Sequence, residues 1–423
     1  MAAVDDDRWE DLPTDLLTEI LLCLPPISGR RRVRLVCSRW RDAVDELEPE
    51  TTHSRAKPLT FLKRSVDSGR PATARVFDDL AGGGLGGSRE IWNGGGGGDG
   101  VSGSSPDIVG TCNGLLCLWH CGSDSGGEIT LVNPVTGESL AIPPPPPPSP
   151  RWRSHTTEGP EAERLSFAYH PLTGRYSIVH FPAAFCDGGG DNLADPAVEV
   201  LTLGGAGASA SWREVAAPPG SRCCLALGIV SVDGATYWVT KDGRIMSLDH
   251  EHERVTAVLP LPPAIAGELD SWWSTRLTEV AGRLGVAITS NHTTPSKYNV
   301  EVWVLDGARG KMTWSHRYTI QDLQFSYQEI AWPHFAYGEN VLTILDSDHP
   351  RNQLYTHWLW PHKNRTSVAT GDVVKGTLVE EFVIDPENVK ILSLIDPEIH
   401  VNMFSYVETN EPLNIYKEVC MDS

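Results

Sequence analysis

The sequence predicts an α+β chain of more than one domain, in which a small all-α unit at the N-terminus precedes a large all-β domain. Apolar residues recur at helical spacing only near the N-terminus, and most of the remaining chain alternates short β-branched or aromatic runs with turn residues. A Gly-rich stretch separates the two patterns. At 423 residues the chain also exceeds the roughly 250–300 residues at which a single core stops growing.

The N-terminal unit, residues 8–47, has the pattern of two short amphipathic helices. Pro13 suits the first turn of the first helix, and Pro25-Pro26 prevents the helix from continuing. Two such helices cannot bury both apolar stripes against each other, so a unit of about 40 residues needs a partner surface. The two stripes consist of Leu12, Leu16, Leu17, Ile20, Leu21 and Leu24 in the first helix and Val33, Val36, Cys37, Trp40 and Val44 in the second.

Residues 48–106 are predicted to be a linker that contains a disordered insert. The runs "AGGGLGGSRE" and "NGGGGGDGVSGSS" cannot bury enough apolar area to offset the entropy lost on ordering. The proline run of residues 143–148 is predicted to be an exposed polyproline II segment between strands. The large β domain is therefore predicted to span residues 107–423.

Turn signals divide that domain into short strands. Asp233-Gly234 and Asp242-Gly243 lie between apolar runs, which is typical of tight hairpins. The segments "NPVTGES" and "HPLTGRY" repeat one turn pattern and suggest a recurring hairpin or blade. At roughly 40–50 residues per four-stranded blade, the domain suits a β-propeller of about six or seven blades, with a pair of β-sandwiches as the alternative.

Charge and cysteine content restrict the partners and the compartment. A net charge of −20 disfavours nucleic acid and anionic membranes as general partners. Asp5, Asp6 and Asp7 stand where a signal peptide would be basic, and no run of 18 apolar residues occurs. Nine cysteines without a regular framework suit a reducing compartment. We therefore expect a cytoplasmic or nuclear protein that has no membrane partner.

Motifs for metal, cofactor or catalytic chemistry are weak. Cys112, Cys117, His120 and Cys121 offer zinc ligands, but strand alternation would divide them between two faces, which favours buried structural cysteines. We find no nucleophile elbow, zinc-protease helix or phosphate-binding glycine loop. The sequence thus predicts no metal, no cofactor and no enzymatic activity. An enzyme site assembled from distant propeller loops remains an alternative.

The arginines of the second helix offer a different alternative. Two helices with a tight connection and a basic face have the outline of a helix-turn-helix, which would bind DNA. The first helix is acidic, however, and the chain lacks the wider basic surface that phosphate binding needs. We expect no nucleic-acid partner. The arginines in question are Arg30, Arg31, Arg32, Arg34, Arg39 and Arg41.

The N-terminal pattern resembles an F-box. The resemblance rests on the first Leu-Pro, the Ile-Leu pair, the second Leu-Pro and "VCSRW". It implies binding to a Skp-type adaptor and, through it, to the cullin and RING subunits of a ubiquitin ligase. One departure is the stretch Ser28-Gly29-Arg30-Arg31-Arg32, where many F-boxes carry a leucine-bearing helix, and it makes the strength of adaptor binding an open question. The implied adaptor-binding residues are Leu12, Pro13, Leu16, Leu17, Ile20, Leu21, Leu24, Pro25, Val36, Cys37 and Trp40.

The β region resembles the F-box-associated domain of plant F-box families. The similar segments are "GTCNGLLCL", "LVNPVTGE", "VSVDGATYWV" with the strand after it, and "VEVWVLD" with Trp314. The resemblance implies a substrate receptor whose β domain binds a target protein that the sequence does not identify. Candidate target-binding loops are Pro143–Gly159, Asp187–Asp195, Ala264–Trp273 and Asn291–Lys297. We favour Trp272 and Trp273, an adjacent aromatic pair beside acidic residues.

Overall fold

The structure of the chain is a computed structural model. It describes residues 56–64, 71–78, 80, 87–94, 105–121, 127–146, 161–171, 173–186, 197–203, 211–262, 275–280, 282–291, 298–306, 312–323, 328–334, 336–337, 340–345, 352–361, 382–395 and 399–416, together with residues 13, 16, 17, 20, 33, 37–41 and 43 of the N-terminal region. Among these N-terminal residues Leu16, Leu17, Ile20, Val33, Ser38–Arg41 and Ala43 are helical. The remainder of the predicted α-helical unit lies outside the described residues.

The described strands form five sheets in the arrangement of a β-propeller. The first sheet consists of β1 (Lys57–Arg64), β2 (Thr73–Phe77), β3 (Ser88–Asn93) and β25 (Ile399–Tyr406). The second consists of β4 (Asp107–Cys112), β5 (Leu115–His120), β6 (Glu128–Val132) and β7 (Ser139–Ile142). The third consists of β8 (Leu165–His170), β9 (Arg175–His180), β10 (Ala197–Leu203) and β11 (Arg213–Ala216).

The fourth sheet consists of β12 (Ile229–Val232), β13 (Ala235–Val239), β14 (Arg244–Asp249) and β15 (Arg254–Pro260). The fifth has nine strands: β16 (Thr275–Val280), β17 (Arg283–Asn291), β18 (Tyr298–Asp306), β19 (Thr313–Leu323), β20 (Gln328–Ile330), β21 (Ala336–Tyr337), β22 (Asn340–Leu345), β23 (Asn352–Pro361) and β24 (Phe382–Ile395). In the described part of the β region the short helices are α1 (Ala183–Cys186) and the 3₁₀ turns Glu161–Arg164, Leu225–Leu227 and Asn414–Tyr416.

The expectation of six or seven blades is wrong, because the described strands form five sheets. The assumption of four strands per blade fails at the fifth sheet, which has nine strands. Among the described residues its antiparallel sections β16–β19 and β20–β24 are joined by a parallel contact, in which Ile320 and Gln321 pair with Phe382 and Val383.

Middle strands of the sheets are buried on both faces because each sheet packs between two neighbours. In β5, Leu115, Leu116, Cys117 and Leu118 are all at most 1% exposed. Leu115 and Cys117 belong to the core shared with the third sheet, whereas Leu116 and Leu118 belong to the core shared with the first. A continuous apolar run is what such two-sided burial requires, and "LLCLW" supplies it.

The ring is closed by two strands from opposite ends of the β region. Strand β1 pairs with β25 over eight residue pairs, from Lys57 with Tyr406 to Arg64 with Ile399. The expected linker over residues 48–106 is therefore corrected, because β1, β2 and β3 lie within it and belong to the first sheet. Composition misled the prediction because the Gly-rich runs stand beside these strands. The runs at residues 81–86 and 95–104 lie outside the described residues.

The predicted turns are present, with one difference. Asp233 and Gly234 both have positive φ, 49° and 71°, and connect β12 to β13 as a two-residue hairpin. In the other predicted turn Gly243 has a positive φ of 78°, whereas Asp242 is not among the positive-φ residues. Thr240 explains this difference, because its carbonyl accepts from the Gly243 N–H and closes a four-residue turn.

Antiparallel pairing gives the domain two distinct ends. The first strands of successive sheets contact one another, and Thr111 near the end of β4 donates to the carbonyl of Ser405 near the end of β25. These strands therefore end on the same side. At that side β25 leads into residues Val407–Tyr416, which we call the strap, and β1 begins. We call this side the strap end and the other side the opposite end.

Candidate functional site

The described residues of the N-terminal region divide into a buried group and an exposed group. The carbonyl of Pro13 accepts from the N–H groups of Leu16 and Leu17, both at 3.1 Å, which begins a helical turn. Leu17 and Trp40 are 0% and 5% exposed and pack together. Leu16 and Ile20, in contrast, are 47% and 39% exposed. The turn therefore presents two aliphatic side chains to solvent while its other face forms a small core.

The described members of the predicted adaptor-binding set fall into both groups. Pro13 is also exposed, and Cys37 is half-buried against the small core. The role of these residues in adaptor binding stays a prediction. Leu12, Leu21, Leu24, Pro25 and Val36 lie outside the described residues.

Ion pairs surround the place where the N-terminal chain enters the β domain. Lys57, the first residue of β1, contacts Asp78 at 2.5 Å, and Asp78 lies 3.5 Å from Arg89. Arg89 also pairs with Glu408 in the strap. The contacts with Lys57 and Arg89 lower the pKa of Asp78 from its ordinary value. These side chains are all substantially exposed, so the network contributes little stability but joins β1, β3 and the strap at one point.

The strap is held by the Asn-Pro-x-Thr-Gly turn of the second sheet. Asn133 is fully buried, and its amide nitrogen donates to the carbonyls of Thr409 at 3.2 Å and Glu411 at 2.8 Å. The amide oxygen of Asn133 accepts from the N–H of Val135 at 2.9 Å, which shapes the turn itself. One asparagine therefore uses its acceptor within the turn and both its donors on the strap.

Apolar anchors complete the attachment of the strap. Leu413 and Tyr416 are 0% and 1% exposed and belong to the core between the second and third sheets. Tyr416 packs edge-on against Tyr176 with ring centroids 5.8 Å apart, and its hydroxyl donates to Glu411. Gly114 lets the strap approach closely, because a Cβ there would lie 2.4 Å from the carbonyl oxygen of Val407.

A chain of polar side chains, part of it buried, connects the third and fourth sheets. The hydroxyls of Ser166 and Ser231 lie 2.7 Å apart, Ser231 contacts Thr236 at 2.6 Å, and Thr236 contacts Nε2 of His250 at 2.8 Å. His250 is 8% exposed, and burial with the nearby charge of His170 lowers its pKa from 6.5 to about 4. His250 is therefore neutral at physiological pH.

The opposite end carries the strand ends that border the predicted target loops. Ile142, His180, Pro262, Thr275 and Asn291 all lie there, by the alternation of strand directions. Trp272 and Trp273 themselves, and the loop residues 147–159, 187–195, 264–273 and 292–297, lie outside the described residues. Their role in target binding therefore stays a prediction.

The described residues contain no group of three or more His, Cys, Asp or Glu side chains placed to hold a metal ion. Within the predicted cysteine group, Cys117 is buried, Cys121 is exposed, and the thiol of Cys112 contacts the carbonyl of Phe167 at 3.3 Å. Burial raises the pKa of the Cys112 thiol to about 12, which keeps the thiol protonated and unreactive.

A carboxylate–imidazole pair lies between β16 and the segment after β20. Nε2 of His334 lies 3.5 Å from Glu279, and Nδ1 of His334 accepts from the N–H of Ser405 at 2.8 Å. Glu279 accepts from the N–H of Gly282 at 2.7 Å. These bonds join three chain segments near the axis, which is a structural role.

In the described part of the chain no helix is both long and apolar enough to cross a membrane.

Sequence reasoning missed the partners that the fold assembles from distant segments. Asn133 was recognised as a turn residue, but its strap partner Glu411 lies 278 residues away. Likewise the sequence around His250 gave no sign of its special environment, because His170 becomes its neighbour only when two sheets pack together. The repeated turn pattern at residues 133 and 170 was the available hint, since both first residues accept a hydrogen bond from their own turn.

Comparison with known proteins identifies both parts of the chain. The family described as "F-box associated beta propeller domain" matches residues 101–366, and "F-box domain" matches residues 9–51. An F-box protein of Arabidopsis thaliana is 26% identical over 351 residues, which cover 74% of this chain and 73% of the relative.

Solved structures show more distant similarity. TolB from Acinetobacter baumannii is 12% identical, with a TM-score of 0.38, over 76% of this chain and 67% of that protein. A protein assigned as a 6-phosphogluconolactonase from Bacteroides fragilis is 10% identical, with a TM-score of 0.36, over 79% of this chain and 98% of its own.

Proposed function

Because the chain belongs to the F-box associated β-propeller family and carries an F-box ahead of that domain, we propose that it is the substrate-receptor subunit of an SCF-type ubiquitin ligase. The F-box binds a Skp-type adaptor, which links it to the cullin and RING subunits, and the β domain binds a target protein. No catalytic residue of this chain is required. Its contribution is proximity, which raises the effective concentration of target lysines near the activated ubiquitin.

The single observation that carries this proposal is the exposed pair Leu16 and Ile20 beside a small packed core. Aliphatic side chains that are 47% and 39% exposed on one turn leave apolar area that a partner can cover. The match of residues 9–51 to the F-box domain supports a Skp-type adaptor as that partner. The intracellular sites of such ligases make the cytoplasm or the nucleus the proposed location.

Leu16→Glu combined with Ile20→Glu tests the adaptor interface. The charges cannot be buried against an apolar partner, so we expect recovery of a co-expressed Skp-type adaptor to fall at least about 100-fold in a pull-down of the full chain. A known F-box protein in the same lysate serves as the positive control.

Trp40→Ala is the matched variant from the buried group. We expect it to weaken adaptor binding indirectly, through loss of the core with Leu17, and to make the N-terminal region easier to digest with protease. Leu16→Ala combined with Trp40→Ala should abolish adaptor binding, because it removes one exposed anchor and the core beneath it. Full adaptor recovery by the Leu16/Ile20 variant would overturn the proposed interface.

Trp272 and Trp273 remain the proposed anchors for the target protein. Affinity mass spectrometry with the proteasome blocked would name the target. Replacing both tryptophans with Ala should then lower target recovery several-fold and leave adaptor recovery unchanged. Equal target recovery from wild type and variant would transfer the site to another loop.

A further inference from the structure

The opposite end of the β domain carries a group of basic side chains, although the whole chain has a net charge of −20. They surround the connection between the third and fourth sheets, residues 220–228, and we call them the basic rim. The rim consists of Arg222, Lys241, Arg244 and Arg276, with Asp242 as the carboxylate beside them.

Arg276 is exposed and is supported from below by an aromatic ring. Its guanidinium carbon lies 5.7 Å from the ring centroid of Trp332, within cation–π range. The indole N–H of Trp332 donates to the carbonyl of Leu277 at 3.2 Å. Gly228 packs against the same indole, where a Cβ would lie 2.9 Å from the ring. The indole ring of Trp332 is thus fixed in place. It holds the guanidinium of Arg276, whose N–H groups remain available to a ligand.

Lys241 lies at the other end of this connection. It is exposed on the turn between β13 and β14, and its charge is close enough to Cys224 to oppose the rise in thiol pKa that burial causes. Arg244 fixes the same turn, because its guanidinium donates to Asp242 at 2.7 Å and to the carbonyl of Gly220 at 3.1 Å. In the described part of the chain, Lys241 and Arg276 form no ion pair.

Lys241 and Arg276 flank one short connection. Lys241 is close enough to Cys224 to act on its thiol electrostatically, Gly228 packs against the ring below Arg276, and the 3₁₀ turn Leu225–Leu227 joins Cys224 to Gly228. An extended peptide that lies along this connection could present acidic groups to both cations.

We propose that the basic rim binds an acidic segment of the target protein, with carboxylate or phosphate groups contacting Lys241 and Arg276. This proposal rests on the proposed function as a substrate receptor. The rim stands on the side away from the entry of the F-box chain, and Arg276 is the second residue of β16, directly after the segment that contains the predicted target anchors. A local positive surface on an acidic chain also favours encounter with an acidic partner over other proteins.

Charge reversal in the full chain tests the rim. The probes are fluorescein-labelled peptides that carry six glutamates, the same peptide with phosphoserines, and the same peptide with glutamines. We expect anisotropy to show binding of the acidic peptides but not of the glutamine peptide, and binding that weakens as NaCl rises from about 50 mM to about 300 mM. Lys241→Glu with Arg276→Glu should weaken acidic-peptide binding at least about fivefold.

Arg175→Glu with Arg254→Glu is the matched control, because it changes net charge equally through exposed arginines at the strap end. It should leave peptide binding within about twofold of wild type. Equal losses in both double variants, or no binding of either acidic peptide, would overturn the proposal. Tighter binding of a labelled single-stranded RNA would overturn it in favour of nucleic acid. None of these readouts needs the adaptor, so failure here is distinguishable from failure of the proposed ligase role.

Discussion

Two turns with the same sequence pattern perform different tasks in this protein. In Asn133-Pro-Val-Thr-Gly137 and in His170-Pro-Leu-Thr-Gly174, the glycine N–H donates to the carbonyl of the first residue, at 2.9 Å and 2.8 Å. The first side chain accepts from an N–H within its own turn in both cases. Both glycines have positive φ, 72° and 65°. The repeated letters therefore specify one backbone geometry.

The difference lies in what the first side chain does with its remaining atoms. Asn133 has two amide donors left, and both contact the strap. His170 has one ring nitrogen left, Nε2, which lies 3.9 Å from Glu251, and its ring packs beside Gly234. The first turn connects β6 to β7 and the second connects β8 to β9, so the repeat marks a shared turn rather than equivalent positions in a blade.

Among substitutions in the two turns, Asn133→Asp should cause the largest loss of stability. Aspartate keeps the acceptor that shapes the turn but loses both donors, and its carboxylate would face the carbonyls of Thr409 and Glu411 in a fully buried site. We expect a loss of at least about 3 kcal/mol in the free energy of unfolding, together with faster proteolysis of the strap. Urea unfolding and limited proteolysis with mass spectrometry measure the two effects.

Val135→Asp is the control for that substitution, because it places the same charge on a side chain of the same turn that is 48% exposed. Its effect on the free energy of unfolding should stay within about 0.5 kcal/mol.

His170→Asn tests the first residue of the second turn. Asparagine can still accept from the N–H of Thr173, so this substitution should cost less stability than Asn133→Asp. Similar losses at Asn133 and Val135 would show that the strap contributes nothing through the amide.

These turns also show how far the sequence could predict the molecule. Local signals predicted the strands, the hairpin at Asp233-Gly234 and the repeated turn, because each depends on a few adjacent residues. Ring closure was missed because β1 and β25 pair across more than 300 residues and lie beside low-complexity segments that hid β1 to β3. The exposed and buried members of the F-box stripe share one periodicity, so Leu16 and Leu17 could be separated only by packing.

Acid should destabilise the protein through His250, whose pKa is lowered in part by the charge of His170 in the second turn. Its pKa is lowered from 6.5 to about 4, by burial first and then by the charge of His170, while Asp249 opposes the shift. His250 therefore binds a proton near pH 6.5 in the unfolded chain, whereas in the folded chain it binds that proton only near pH 4. This contribution to stability is fully present above pH 6.5 and is lost as pH falls toward 4, with a total on the order of 3 kcal/mol.

His250→Gln should remove most of that pH dependence while glutamine still bonds to Thr236. The measurement is the free energy of unfolding by urea at several pH values between 4 and 7. His120, whose pKa is also lowered by burial, should leave a smaller residual slope of the same sign. An identical slope in wild type and variant would assign the acid sensitivity to other groups.

Gly137→Ala should have a small effect and isolate the backbone cost that the two turns share. A Cβ at Gly137 would meet no atom within 4 Å, so the cost arises only from the positive φ of 72°. We expect a loss of about 1 kcal/mol by urea unfolding. Gly114→Ala has a similar φ of 77°, but its Cβ would lie 2.4 Å from the carbonyl oxygen of Val407, so it should cost at least about 1 kcal/mol more. Equal losses at the two glycines would mean that the strap moves aside freely, contrary to the anchoring by Asn133.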